Sequence, residues 1–291
     1  MLENAGATPT AKMMRSVGLV TRYGGKLAKK QAFVVTNAIA RNWEKASPQT
    51  FKAARAVLRG KDAAQVEDPI PPYGSVVEVD GFRIRIDPRM AKANIRKLMA
   101  GKHVLQERKI LDLILEPGDR MVELGGGIGM VAIAASRAIG SENVTSFEAN
   151  PALEEVIREN YRLNNVSPTL RMCMVGPEAS SRTFYVAKKF SRSSVYDPDG
   201  EDTTAVDVPV VPFNDELMAI KPNVLVIDIQ GAEVELIDYA DFTGVEKLAI
   251  EFHPSMTGVR PILSMRRKLA EQHGFEETHR FGNSFVYRKP S

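Results

Sequence analysis

Met121-Val122-Glu123-Leu124-Gly125-Gly126-Gly127-Ile128-Gly129 runs straight into Met130-Val131-Ala132-Ile133-Ala134, and this passage decides the fold. Met121 to Leu124 reads as a short strand, the glycines as a tight turn, and Met130 to Ile139 as a helix rich in Ala and Ile. Glycine lets the main chain turn sharply and lets a ligand lie against bare backbone. The free N–H groups at the start of the following helix favour polar or anionic ligand groups. Downstream the alternation continues: strand Val144 to Phe147, helix Leu153 to Asn164, strand Leu170 to Val175, strands Val224 to Ile229 and Leu248 to Phe252, and helix Pro261 to His273. Val224 to Ile229 is continuously apolar up to Asp228, as a strand covered on both faces should be. This pattern predicts an α/β fold, a Rossmann-like, doubly wound and mostly parallel sheet, closed by a hairpin over Glu276 to Tyr287.

The glycine loop also bears on the ligand. The dinucleotide fingerprint wants glycine at the first, third and sixth positions, and counted from Gly125 the sixth is Met130. An NAD(P)-dependent oxidoreductase is therefore the weaker reading. The pattern acidic-x-Gly-x-Gly-x-Gly is met by Glu123, Gly125, Gly127 and Gly129. It suits a ligand whose end near the loop is a cationic amino acid, with Glu123 holding its ammonium directly or through water. S-adenosylmethionine (SAM) is such a ligand. Glu148, at the end of the second strand and about twenty residues beyond the loop, is placed to accept both ribose hydroxyls, with Asn150 beside it.

Taken together, Pro117-Gly118-Asp119, Glu123 to Gly129, Ser146 to Pro151, Asn160 to Asn165, Ile227-Asp228-Ile229-Gln230-Gly231-Ala232-Glu233 and Ile250-Glu251-Phe252-His253-Pro254 resemble the FkbM family of methyltransferases over about residues 75–287. The chain departs from the family's Asp-Val-Gly-Ala-Asn-x-Gly loop by placing Gly127 where the asparagine stands. The resemblance implies a class I methyltransferase type of fold, SAM as cofactor, and O-methylation of a hydroxyl on a saccharide or natural product.

A sulfonium donor is already activated, so the protein mainly positions the acceptor and removes its proton. Asp228 closes a buried strand at the carboxyl edge of the sheet, where ligands lie in such folds. It is the first candidate for a base. His253, with a pKa naturally near neutrality, and Glu251 follow the next strand and share its pocket if the two strands are neighbours. Glu233 falls in the first turn of a helix and reads as a cap. Asp228, Glu251 and His253 also suit a hard divalent cation, but their spacing is no dedicated metal motif, so no metal ligands are assigned. The polar stretch Lys188 to Pro212 is long for a connection and reads as a lid over the acceptor.

The remaining features are of bulk composition. The 291 residues, 44% hydrophobic and 26% charged, suit one large α/β domain with an additional segment. From Lys12 to Lys61 twelve Lys and Arg face one acid, Glu44, a local charge of +11 that leaves −8 for the rest of a +3 chain. This segment reads as helical with a break at Pro48, suited to anionic lipid, nucleic acid or an acidic partner, to docking on the acidic body of the chain itself, or to pairing with a second copy. A non-catalytic SAM-binding protein that docks on membranes through this arm is a further reading. No basic stretch interleaved with aromatics points to nucleic acid. A single cysteine, Cys173, excludes an intrachain disulfide, and neither a signal-peptide pattern nor a long apolar run is present, so a cytoplasmic protein is expected. The expected organisation is a basic, mostly helical segment and Pro-rich linker over 1–70, a hairpin and helices over 71–116, and the Rossmann-like domain over 117–291.

Overall fold

A computed structural model describes residues 70–100, 102–196 and 202–290. The expected basic helical segment, and most of the acidic patch at 197–202, lie outside them.

Strands β1 (Val76–Val79) and β2 (Phe82–Arg85) form a hairpin around Asp80-Gly81, both at positive φ. Helices α1 (Lys92–Met99) and α2 (Lys102–Ile114) lead to β3 (Met121–Leu124). Helix α3 (Met130–Ile139) begins after Gly129 and stops at Gly140, both at positive φ, so two glycines set its limits. Strand β4 (Val144–Phe147) precedes α4 (Glu154–Leu163), whose first turn carries Glu154 and Glu155 against the positive helix end. Asn160 of α4 and its C-cap Asn164 bind the backbone of Arg85 and Arg83 and so fasten the hairpin to the domain.

After β5 (Thr169–Arg171) and β6 (Met174–Gly176) come β7 (Ser180–Ala187), β8 (Thr203–Pro212) and α5 (Phe213–Ile220). The chain continues through β9 (Val224–Ile227), α6 (Glu233–Tyr239), β10 (Lys247–Glu251), α7 (Pro254–Thr257) and α8 (Val259–Glu271) to the hairpin β11 (Glu276–Phe281) and β12 (Ser284–Arg288). The main sheet has the order β11-β12-β10-β9-β3-β4-β5, parallel from β10 to β5 and antiparallel at β12. This is the expected Rossmann-like, mostly parallel sheet. Its strand order reverses between β3 and β9, the position where such sheets open a ligand crevice.

Strand alternation divides the sheet into two faces. Val122, Leu124, Leu225, Ile227, Leu248 and Ile250 pack with Leu236 and Ile237 of α6 and Ile262, Met265 and Leu269 of α8 in one apolar core. The latter three recur at helical spacing and are all buried. Met121, Glu123, Ala249 and Glu251 alternate with these core residues, and so point to the opposite face.

Two expectations are corrected here. Leu170 to Val175 is not one strand. The chain leaves the main sheet after Arg171, whose guanidinium pairs with Glu216 at 2.7 Å, and Cys173 turns into the core before β6 enters a second sheet of order β6-β8-β7. Nor is Lys188 to Pro212 an irregular lid throughout. Its last ten residues are β8, antiparallel to β7. Among the described residues of the stretch, those between Phe190 and Val195 line the cavity described below.

Candidate active site

The carboxyl ends of β3, β4, β9 and β10 open into one cavity of about 570 Å³. Its cofactor end is built by the glycine loop. The N–H groups of Gly125 and Gly126 donate to the Phe147 carbonyl at 2.9 and 3.0 Å, drawing the loop against β4. At Gly125 φ is +91°, and an added Cβ would lie 1.8 Å from the Asp228 carbonyl oxygen, so glycine is required there. Gly129 is held in the same way: φ is +87° and a Cβ would meet Tyr161 at 2.7 Å. Gly127, at φ +57°, has nothing within 4 Å of such a Cβ and borders the cavity.

Glu123 is 2% exposed and accepts a 2.5 Å hydrogen bond from Ser146 Oγ. Burial pushes its pKa up to about 8, the Ser146 bond pulls against that rise, and the charges of Glu107, Glu148 and Asp228 add to it. Glu148 accepts from the Gly127 N–H at Oε2 and the Asn150 N–H at Oε1, each at 2.7 Å. Burial still raises its pKa to about 7. The Asn150 side chain lines the cavity but is engaged in the fold: Oδ1 caps Ala152 N–H and Nδ2 reaches Ser193 Oγ.

The opposite end centres on Asp228. Parallel pairing of β9 with β10 ends at Ile227 and Ile250, so Asp228 and Glu251 emerge side by side, and both line the cavity. Asp228 Oδ1 accepts from Gln230 Nε2 at 3.1 Å and lies 3.4 Å from His253 Nε2. Gln230 holds a left-handed backbone, φ +52°, a strained state for a side-chain-bearing residue that clusters at functional sites. Asp228 Oδ2 has no hydrogen-bond partner among the described residues. The Asp228 side chain is 45% accessible, but that surface opens into a protein-walled cavity. Burial followed by the Glu251 charge therefore raises its pKa, while His253 opposes the rise.

His253 stands behind Asp228 and does not line the cavity. Its Nδ1 lies 3.0 Å from Glu233 Oε1. Glu233 is 1% exposed, and the same oxygen accepts the Ile229 N–H at 3.1 Å. Glu233 does not cap α6, whose N-cap Ala232 has no side-chain cap; its carboxylate instead takes the Ile229 N–H of the preceding turn and meets His253, contacts that the sequence reading missed. The signal available for them was the Asp-x-x-Gly-x-Glu spacing, which places Glu233 one turn beyond Asp228. Ser146 and Gln230 were also missed. The donor atoms of Asp228, Glu233 and His253 lie within 4.8 Å of one another, close enough for a cation, yet Glu233 Oε1 already serves both Ile229 and His253.

Glu107, Glu123, Glu148, Asp228 and Glu251 all line this cavity, against Lys97 alone of the described Lys and Arg residues. Glu123 has no cationic partner among the described residues. A ligand bearing an ammonium and vicinal hydroxyls fits this donor set: the former meets Glu123, the latter Glu148, and the backbone at Gly127 leaves open space between them. Among the described residues no helix is long and apolar enough to cross a membrane.

Residues 128–277 match the family model described as the methyltransferase FkbM domain. A ribosomal protein L11 methyltransferase of Pelobacter propionicus is 29% identical over 161 residues, covering 53% of this chain and 48% of that protein. A protein of the same description from Bacillus velezensis is 34% identical over 95 residues, covering 32% and 28%. The chain spans about half the length, or less, of these curated relatives. Among solved structures, the Pyrococcus abyssi tRNA (uracil-54, C5)-methyltransferase in complex with S-adenosyl-L-homocysteine aligns with a TM-score of 0.43 and 13% identity, covering 75% of this chain and 44% of that one.

Proposed function

The chain belongs to the FkbM-domain methyltransferase family, and we propose that it transfers a methyl group from SAM to a hydroxyl oxygen of a saccharide or natural-product acceptor. One observation carries the reading. A single cavity joins a buried carboxylate pair suited to an ammonium and a ribose, Glu123 and Glu148, to a second pair suited to an acceptor, Asp228 and Glu251.

When bound, SAM supplies a methyl group on a sulfonium sulfur, so the donor needs no further activation. Glu123 holds the ammonium and Glu148 the ribose, with Glu148 itself fixed by the Gly127 and Asn150 amides. The hydroxyl proton passes to Asp228 Oδ2, the oxygen left free by Gln230 and His253. Glu251 accepts a neighbouring acceptor hydroxyl and orients it. Phe190 and Val195 give the cavity wall apolar surface.

The first measurement is calorimetric titration of SAM into the native chain and Glu148→Ala, with NADH as control. The expected result is SAM binding weakened at least tenfold by the substitution, and no NADH binding. Tighter NADH binding, or none of SAM, overturns the reading. Methyl transfer from labelled SAM is then measured across a panel of hydroxylated acceptors, with native and Asp228→Asn proteins. Ribosomal protein L11, named in the curated relatives, forms a separate arm. Label entering that protein and no hydroxylated small molecule would replace the hydroxyl acceptor with a protein one.

A further inference from the structure

We propose that Glu233 is a positioning residue that keeps His253 protonated, so that the His253 imidazolium in turn keeps Asp228 ionised and ready to take a proton. The inference rests on the reading of Asp228 as the base.

The geometry is a line of three groups running outward from the core. Glu233, 1% exposed, is anchored at Oε1 by the Ile229 N–H and meets His253 Nδ1 at 3.0 Å through that same oxygen. His253 presents its other nitrogen to Asp228 Oδ1 at 3.4 Å, and Asp228 reaches the cavity. The elements contribute from different directions: Glu233 from α6, His253 from the turn after β10, and Asp228 from the turn after β9. The histidine cannot act on the acceptor itself, because it does not line the cavity. It acts through Asp228.

The charges make the order of dependence clear. Asp228 faces Glu251 from β10 and, at longer range, Glu233 from α6 and Glu107 from α2, and it acts in turn on Glu123 of β3. All are acidic, and with burial they favour a protonated, inactive Asp228. His253 is the opposing positive group. Burial by itself lowers the His253 pKa; the hydrogen bond and charge of Glu233, followed by Asp228 and Glu251, outweigh that and raise it. Without the Glu233 charge the ring loses its proton at lower pH, and Asp228 then faces its acidic neighbours unopposed. The Glu233 charge also raises the Asp228 pKa directly, but His253 lowers it more strongly, so the net action of Glu233 through His253 is to keep Asp228 ionised.

The test needs neither acceptor nor turnover, so its failure is separable from failure of the base reading. Imidazole nitrogen shifts of the full chain are followed by NMR across pH 5 to 9, with the His253 signal assigned by its loss in His253→Gln. In parallel the Asp228 carboxyl carbon is followed after selective labelling and assigned with Asp228→Asn. The expected result is that Glu233→Gln lowers the His253 midpoint by at least one pH unit and raises that of Asp228, while Glu233→Asp restores part of both shifts. Midpoints of both groups unchanged within 0.3 pH units in Glu233→Gln would overturn the proposal. If Glu233→Gln does not fold, His253→Gln carries the test on the Asp228 signal. Its midpoint must rise, and an unchanged midpoint is equally fatal.

Discussion

Glu123 makes SAM binding dependent on pH in a direction the structure fixes. In the free protein its carboxyl is buried, with Ser146 Oγ as its hydrogen-bond partner, and its pKa is pushed up to about 8. Only the ionised form can hold an ammonium. Below pH 8 binding must therefore expel a proton, at a cost of about 1.4 kcal/mol per pH unit, or about tenfold in affinity. At pH 6 this amounts to about 3 kcal/mol and roughly a hundredfold weaker binding than at pH 8. Glu148, raised to about 7, adds to the slope below pH 7. Calorimetry from pH 6 to 8, in two buffers of different ionisation enthalpy, reads both the affinity and the released proton. Near pH 7 about one proton from Glu123 and about half of one from Glu148 should leave per SAM bound. Glu123→Gln should reduce the slope by one log unit per pH unit and weaken binding at pH 8. The sign for the free protein is opposite. A carboxyl with a raised folded pKa contributes stability that is present below the ordinary carboxylate range and is lost as pH rises through about 8. The ligand-free native chain should accordingly melt lower at pH 8 than at pH 6, and Glu123→Gln should not show that part of the decline. Affinity constant within twofold from pH 6 to 8, or proton uptake on binding, would refute the reasoning.

Other outcomes follow from single contacts. Gly125→Ala drives a Cβ to within 1.8 Å of the Asp228 carbonyl oxygen at φ +91°, and should abolish SAM binding and lower the melting temperature by several degrees. Gly127→Asn, at φ +57° with open space around it, should keep a melting temperature near native; a collapse there would show that the loop is not built as described. Lys247 Nζ reaches both oxygens of Asp119 at 2.9 and 3.0 Å inside the domain, so Lys247→Met strands a buried carboxylate and should cost about 3–5 kcal/mol in denaturant unfolding. Burial opposes, but the bonds from Lys247, Asn223 and Glu116 outweigh it and lower the Asp119 pKa, so the stability it contributes should disappear as pH falls below the ordinary carboxylate range.

The parts of the fold that the sequence made legible were those in which local signals agree. The glycine loop, the apolar run of β9 and the Ala-rich α3 each carry their own pattern, and the hairpins at Asp80-Gly81 and Gly282-Asn283 carry turn residues. The pair β7 and β8 did not show itself, for an equally physical reason. Both strands keep much of their surface exposed, so neither has the clean alternation of a half-buried strand, and Pro209 and Pro212 argue against a strand altogether. The run Leu170 to Val175 misled in the other direction: its apolar residues serve two different sheets, and nothing local marks the break.

The site divides along the same line. Glu123 and Glu148 are legible because their positions are fixed relative to one loop and one strand end. Asp228 and Glu251 are legible once β9 and β10 are taken as neighbours, since parallel register brings equivalent strand ends to one edge. Glu233 and His253 are different. Their meeting depends on the turn after β9 passing through Gln230 and Gly231 at positive φ, which returns the first turn of α6 toward the end of β10. No periodicity encodes that return. The Asp-x-x-Gly-x-Glu spacing records it only as a fixed interval, and a glutamate in a first helical turn has a sufficient local explanation as a cap. One oxygen serves both the Ile229 amide and His253, and α6 has no side-chain cap, so the local account of Glu233 missed the contacts that tie it to the chemistry.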